Sequence, residues 1–489
     1  MKHIKKIEFI KETAPVGANT TNSLLNGMFK KTSIGETENG AVTFTRSGSP
    51  LLDFFSQAGS MRNNITKALD LFKKAFAEDR EKSIKILFYL RDVRGGQGER
   101  DLFRTCLEWI GTNYEEIFNK IVMHVSEYGR WDDMFFDNQT CFEIIGSQLI
   151  KDKVSDKPSL LAKWLPTINA SSIATKAKAR FMAEKLGFSE TTYRRMLRDI
   201  RKKIKIVESQ MSAQKWPEIN YSAVPSQASK IYKNAFKKHD EERYNTFIQK
   251  ATKGEVKINA ATIYPYQIYK AVQSDYSPTL EALWNQLPDY TQGKNALVVA
   301  DTSGSMEGDP VSVSISLALY FAERNKGQFK DYFISFSAIP MLHKIQGDNL
   351  LDRMDSIDLG DVANTNLQGV FNLVLETAIE NNIPANEMPS TIYIISDMEF
   401  DSCCEGKTNY EMIKVKYARA GYEAPAIVFW QVDARSGKNL PVQKDEYGVA
   451  MVSGFSPVVF KMAVENKTPE QVMLDTISSE RYSRIKING

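Results

Sequence analysis

Between residue 51 and about residue 290, apolar positions recur every three or four residues, in segments separated by Gly, Pro or Asn. "REKSIKILFYLRDV" (80–93) puts Ile84, Leu87, Phe88 and Val93 near one face, and "GERDLFRTCLEWIG" (98–111) does the same with Leu102, Phe103, Leu107 and Ile110. That period predicts amphipathic helices. A run of them without strand signals predicts stacked helix pairs, a HEAT-like helical-repeat array, although the letters show no repeat of fixed length. After about residue 290 the rhythm changes. "NALVVADTS", "DYFISFSA", "STIYIISDMEF" and "PAIVFWQVDA" are short apolar runs rich in β-branched and aromatic residues. Helical stretches lie between them, such as "LQGVFNLVLETAIENN" (367–382) and the buried helix expected at "VSVSISLALYFA" (311–322). Strands alternating with helices predict an α/β domain with a doubly wound, mostly parallel, Rossmann-like sheet. The first 50 residues are rich in Thr, Asn, Gly and Ser and lack periodicity. The chain therefore divides into a loosely ordered arm (1–50), a helical-repeat domain (51–290) and a doubly wound domain (291–489).

Composition narrows the class. With 42% apolar and 25% charged residues in 489, the chain reads as soluble and globular. The N-terminus lacks the apolar run of a secretory signal, and no stretch is long and uncharged enough to span a bilayer. Four cysteines, two of them adjacent at 403 and 404, make neither a disulfide framework nor a zinc pattern. These features predict a cytoplasmic protein without membrane contact.

Candidate chemistry lies at the strand ends. "ALVVADTSGSMEGDP" (296–310) ends the first strand with Asp301, Ser303 and Ser305; "DVANTNLQG" (361–369) offers Thr365 before a helix; "IISDMEF" (394–400) ends another strand with Asp397. One reading is polar turns. The other is a shared ion site, because doubly wound sheets bind ligands at the carboxyl ends of their strands. Three loops of hydroxyl and carboxylate oxygens suit Mg²⁺, with Mn²⁺ or Ca²⁺ as substitutes. No His, Cys or Lys stands in these loops as a nucleophile or base, so ligation is expected rather than catalysis, and the chain is not expected to be an enzyme.

This D-x-S-x-S run with Thr365 and Asp397 resembles the metal-ion-dependent adhesion site of von Willebrand factor A domains, over roughly residues 292–489. The resemblance implies direct ligation by Ser303, Ser305 and sometimes Thr365, with Asp301 and Asp397 acting mostly through waters. It also implies a position open to a partner's acidic group. Many members have Gly where this chain has Asn364 and Met398.

Charge is uneven. Residues 151–250 hold 22 Lys and Arg against 10 Asp and Glu, whereas residues 291–489 hold 18 against 26. The basic block either meets a polyanion or faces the acidic domain. Within it, "TTYRRMLRDIRKKIKIVESQMSAQKW" (191–216) reads as one helix, with Tyr193, Met196, Leu197, Ile200, Ile204, Val207 and Met211 buried. Arg194, Arg198, Arg201, Lys202 and Lys205 then form an outward stripe, and Lys233, Lys237 and Lys238 follow in "SKIYKNAFKKHD". Such a stripe is either a solvated face or a phosphate-binding one without sequence recognition of DNA or RNA bases. "DVRGGQGERDLFR" (92–104) is either a phosphate grip, with Arg100 and Arg104 beside glycine N–H groups, or a tight turn whose arginines pair with Glu99 and Asp101. "EYGRWDDMF" (127–135) reads as a helix start capped by Asp132.

A helical-repeat region followed by an A domain is the plan of the Ro autoantigen family, whose helical module is called TROVE. "RGGQGERDLFR", "YGRWDD", "LAKWLP", "VPSQASKIYKNAFKKHD" and "ISDMEFD" resemble motifs of an uncharacterised Ro-like family of plants, phages and large viruses. The resemblance spans most of residues 40–489. It implies a ribonucleoprotein component that binds small noncoding or misfolded RNA on its basic helical surface. The alternative is a magnesium-dependent protein-interaction module with an acidic partner and no RNA.

Overall fold

The computed structural model describes residues 33–204, 206–326, 329–336, 340–357, 365–401, 409–434 and 439–487. It is a helical array followed by a doubly wound domain. Several of the array's helices start where the sequence places acceptor side chains. Asn64, Asp79, Asn138 and Ser172 each accept a hydrogen bond from the backbone N–H three residues on, satisfying a donor that the first turn leaves open. Asp79 closes Ile65–Glu78 and opens Arg80–Arg91, so these helices follow without a loop. Arg80–Arg91 departs from the one-faced expectation. Ile84, Ile86, Leu87, Phe88, Tyr89 and Leu90 are all buried, because the helix is packed by other helices and by the chain's C-terminal segment.

The expected single helix over 191–216 is broken. Glu190–Ile204 is followed by an extended Ile206, a short helix Val207–Ser212 and a 3₁₀ turn at Trp216–Glu218. The break lets Trp216 stack on His239 at 4.4 Å.

The two ends of the array meet on the C-terminal domain. Near its start, Arg62 lies 3.7 Å over the Phe455 ring and donates to Tyr266 at 3.4 Å, and Tyr266 packs edge-on against the same Phe455. Glu281, in helix Pro278–Asn285, pairs with Arg353 at 2.9 Å and accepts from the Leu350 N–H at 2.6 Å.

The C-terminal sheet comprises β3 (Ala296–Ala300), β4 (Tyr332–Ser335), β5 (Met341–Lys344), β6 (Thr391–Ser396), β7 (Ala426–Gln431) and β8 (Val449–Ser453). Their order is β5-β4-β3-β6-β7-β8, parallel except for the β4–β5 pair. Counted within the domain this is 3-2-1-4-5-6, the doubly wound order whose direction of travel reverses between the first and fourth strands. Strands β3, β6, β7 and β8 are buried along their whole length, as parallel strands covered on both faces must be. Asp309–Arg324 packs on β3, β4 and β6. Helix Pro50–Gln57, from the other end of the chain, packs on β7 and β8.

The expected arm is only partly describable. Residues 1–32 lie outside the described residues, including the "LLNGMF" segment (24–29). Residues 33–50 are ordered: β1 (Ile34–Glu36) and β2 (Val42–Phe44) form an antiparallel hairpin. Phe44 and Leu440 exchange backbone hydrogen bonds at 2.9 Å each way, tying the hairpin to the doubly wound domain. Regular backbone pairing replaces the side-chain periodicity this segment lacks.

Helix Pro50–Gln57 carries a buried acid. Asp53 accepts the Ser47 N–H at 2.8 Å, and burial pushes its carboxyl up to about 6 despite that bond. Its ordinary value is near 4. The folded state therefore holds the proton more tightly, and its stability is fullest below about pH 4 and declines as pH rises through 6. Asp53→Asn should shrink that decline, raising stability at pH 7.5 by about 1–2 kcal/mol, as read from thermal melts between pH 4 and 7.5.

Candidate metal centre and basic face

β3 and β6 are neighbours at the point where the strand order reverses, with Ala300 opposite Ile395. The Asp301 N–H donates to the Ile395 carbonyl at 3.0 Å, so Asp301 and Asp397 leave adjacent strands side by side. Both are buried. Asp301 Oδ1 accepts from the Ser303 N–H at 2.9 Å and Oδ2 from Ser396 Oγ at 2.5 Å. Ser303 and Ser305 hydroxyls lie 3.0 Å apart. Asp397 Oδ1 accepts from the Glu399 N–H at 3.2 Å. Thr365 is buried, and its carbonyl accepts from the Asp401 N–H at 3.1 Å. The third loop is thereby joined to the loop that follows Asp397.

Burial pushes the Asp301 carboxyl up to about 6, and the neighbouring Asp397 adds to the rise against the pull of Ser396 and Ser303. Two adjacent buried carboxyl groups, the first raised in part by the second, beside paired hydroxyls make a donor set of hard oxygens. It fits an oxygen-seeking divalent cation. Both Asp301 oxygens already accept protein hydrogen bonds, which suits an indirect role better than direct ligation. Among the described residues no group of three or more His, Cys, Asp or Glu gathers as a metal site; the set here draws three of its five residues from Ser and Thr. Met398 has φ +68°, a left-handed conformation that costs a bulky residue energy. The chain thus adopts at Met398 the backbone that a glycine would take without strain. Asn364 lies outside the described residues.

Glu399 is a fixed structural group. It is buried, and its carboxylate accepts from the Glu38 N–H at 2.7 Å and from Asn439 Nδ2.

The basic residues divide into spent and available. On Glu190–Ile204, Arg194, Arg198 and Lys202 are exposed, with Arg198 beside Asp199 at 2.9 Å. Arg201 turns inward and donates to the Ala162 and Leu165 carbonyls at 2.8 and 2.7 Å. Lys205 lies outside the described residues. Lys233 pairs with Asp275 at 2.5 Å, while Lys237 and Lys238 are exposed. Arg100 is exposed, 3.4 Å from Asp101. Arg104 is held by Asp132 at 2.8 Å and Asp133 at 2.7 Å. Lys178 and Arg195 join the exposed set; neither belongs to the stripe drawn along a single helix. Lys178 belongs to Ile173–Lys185, a helix that buries only Ala179, Met182 and Ala183. The signal for it was a basic stretch with few large apolar residues.

"DVRGGQGER" is a clasp between domains, and its described contacts are to protein groups. Asp92 binds Arg481 and accepts from Tyr482 at 3.1 Å. Gln97 donates to Tyr89 at 2.7 Å and accepts the Ser456 N–H at 3.1 Å. A Cβ on Gly96 would stand 1.8 Å from the Tyr89 carbonyl oxygen, so the turn needs glycine there for closeness. The expected pairing of the motif's arginines with Glu99 and Asp101 holds for Arg100 with Asp101 and shifts elsewhere: Glu99 binds Arg62, and Arg104 reaches across to Asp132 and Asp133. At the next motif the N-cap position is Arg130 rather than Asp132, and Asp133 closes a capping box on it. Asp133 Oδ2 accepts the Arg130 N–H at 2.8 Å.

Fold and site together define a class: a helical array whose ends meet on a doubly wound domain with an oxygen-rich switch point. The chain matches the family described as "Domain of unknown function (DUF2828)" over residues 37–117 and 135–302, half its length, and belongs to that family. Residues 295–486 match a second description, "Domain of unknown function (DUF7788)"; the two matches meet at β3. The chain is similar to "Uncharacterized protein L728" of Acanthamoeba polyphaga mimivirus, 29% identical over 508 residues, covering 93% of this chain and 89% of that protein. Among solved structures it is similar to the Deinococcus radiodurans RO (RSR) protein, with 11% identity and a TM-score of 0.35, covering 86% of this chain and 92% of that one. Among the described residues no helix is long and apolar enough to cross a membrane.

Proposed function

We propose that this protein is an RNA-binding ribonucleoprotein component of Ro-like type, which holds RNA phosphates on its basic helical face. The observation that carries this reading is a set of exposed cations, Lys178, Arg194, Arg195 and Lys202, on two helices consecutive in the chain. None of them makes an ion pair with a described residue. Only Phe181 and Tyr447 are exposed aromatics among the described large hydrophobics, so the face lacks the row of rings on which single-stranded bases stack. Contact is therefore to phosphates, with little sequence preference. Filter retention of labelled structured RNA tests this: affinity should fall steeply as salt rises and should vary little between sequences of equal length and fold. Salt-independent retention would refute it.

The second reading, supported by the Asp301–Asp397 geometry, is a magnesium-dependent adhesion site. Ser303, Ser305 and Thr365 would hold the ion, and Asp301 and Asp397 would serve it from behind. Bound there, the ion would supply a positive centre for an acidic partner group. Both functions fit one chain, and neither needs turnover. Magnesium should raise the melting temperature by mass action, and Asp301→Ala or Ser303→Ala should remove the rise. A shift that survives both substitutions would place the ion elsewhere.

A further inference from the structure

The tip of the N-terminal hairpin sits on the loop that follows Asp397. Thr37 Oγ1 donates to the Phe400 carbonyl at 2.7 Å, the Glu38 N–H to Glu399 Oε2 at 2.7 Å, and Asn39 Nδ2 to the Glu399 carbonyl at 2.7 Å. Gly40 forms a β-bridge with Asp401. Four consecutive hairpin residues thus hold three consecutive loop residues that are some 360 positions away in sequence. Two of those three residues hold the candidate ion site in turn. The Glu399 N–H donates to Asp397 Oδ1, and the Asp401 N–H to the Thr365 carbonyl. From the other side Asn439 grips the Glu399 carboxylate, and its neighbour Leu440 is the residue to which β2 is paired.

We propose that Thr37–Gly40 is a positioning clasp for the ion site, fixing Asp397 and Thr365 through Glu399 and Asp401. This rests on the adhesion-site reading. The physical reason is the strained backbone at Met398. A loop held in a sparsely populated conformation persists only when its surroundings over-determine it, and the clasp supplies the bonds on the residues immediately after it. The clasp residues touch no ion themselves; they act through the groups they orient, as outer partners of ligands do. In effect the chain lends the start of its sequence to complete a site built near its end.

The test is calorimetry of the full-length protein with Mn²⁺ and with Mg²⁺, alongside melts with and without the ion. Thr37→Val with Asn39→Ala should weaken Mn²⁺ binding about 10–100-fold and shrink the ion-dependent rise in melting temperature. Thr37→Ser, which keeps the hydroxyl donor, should bind as the wild type does. Thr45→Val removes a 3.1 Å bond to the Ser33 carbonyl at the open end of the same hairpin, away from the loop. It should lower stability without changing affinity. If wild type binds and the double variant binds equally well, or if Thr45→Val weakens binding as much, the clasp is refuted while the ion site stands. If wild type gives no heat with either ion, the adhesion-site reading falls and the clasp falls with it.

Discussion

Arg91→Met should destabilise the protein by about 3–5 kcal/mol, the largest stability loss expected from a single substitution here. Arg91 and Asp133 are both buried, and Asp133 Oδ2 receives Arg91 Nε at 2.8 Å and Nη2 at 2.6 Å. The same carboxylate takes the Arg130 N–H and Arg104 Nε. One aspartate therefore joins helices Arg80–Arg91 and Arg100–Asn113 to the turn at 130–134. A buried pair of this kind contributes little relative to a well-packed apolar replacement. Removing one partner is different, because it leaves a desolvated charge behind. Methionine restores the volume of Arg91 but not the two donors, and Arg104, half-exposed and shared with Asp132, cannot replace them. Gly129 belongs to the same arrangement: a Cβ there would lie 2.4 Å from Asp133 Oδ2 and 2.9 Å from Arg91 Nε. Urea denaturation followed by circular dichroism measures the loss, with Arg100→Ala as the exposed comparison, expected to cost no more than about 0.5 kcal/mol. Equal midpoints for the two variants would show that the buried pair has no such role.

How much of this was legible in the letters depended on how local the cause is. Strands β3, β4, β6 and β7 are apolar runs whose neighbours are set by a general topological rule, so the switch point and its two aspartates could be placed in advance. β8 and β5 carry no comparable signal. β5 is an exposed edge, and β8 is a short run, "VAMVS", whose burial depends on helix Pro50–Gln57 arriving from the far end of the chain. The glycine turn at 92–99 was ambiguous for the same reason. Its partners, Arg481, Tyr482 and Ser456, are more than 350 residues away, and no spacing in the sequence points to them. Arg194 and Arg201 show the limit within one helix. Periodicity puts both outside the apolar stripe, yet Arg201 bends back to the carbonyls that end Leu161–Trp164. A long side chain can cross the boundary its Cα respects.

Replacing Lys178, Arg194, Arg195 and Lys202 together by Glu should abolish RNA retention at physiological salt. All four are exposed and sit on Ile173–Lys185 and Glu190–Ile204, which pack against each other. If each neutralises one phosphate, the wild type should lose affinity with a slope of about −3 to −4 in log K against log salt. The variant exchanges four attractions for four repulsions, so its loss should exceed 100-fold, above about 2.7 kcal/mol. Net charge alone must not account for this. Lys74, Lys253, Lys257 and Lys326 are exposed elsewhere on the chain, and reversing those four changes the charge equally. That control should keep most of its affinity, because screening confines each exposed cation's effect to about 10 Å. Arg201→Gln should act differently again, lowering stability by freeing the Ala162 and Leu165 carbonyls while leaving the salt slope nearly unchanged. Equal losses for both quadruple variants would make the attraction a property of overall charge. Retention by the first variant would remove the basic face from the RNA-binding reading.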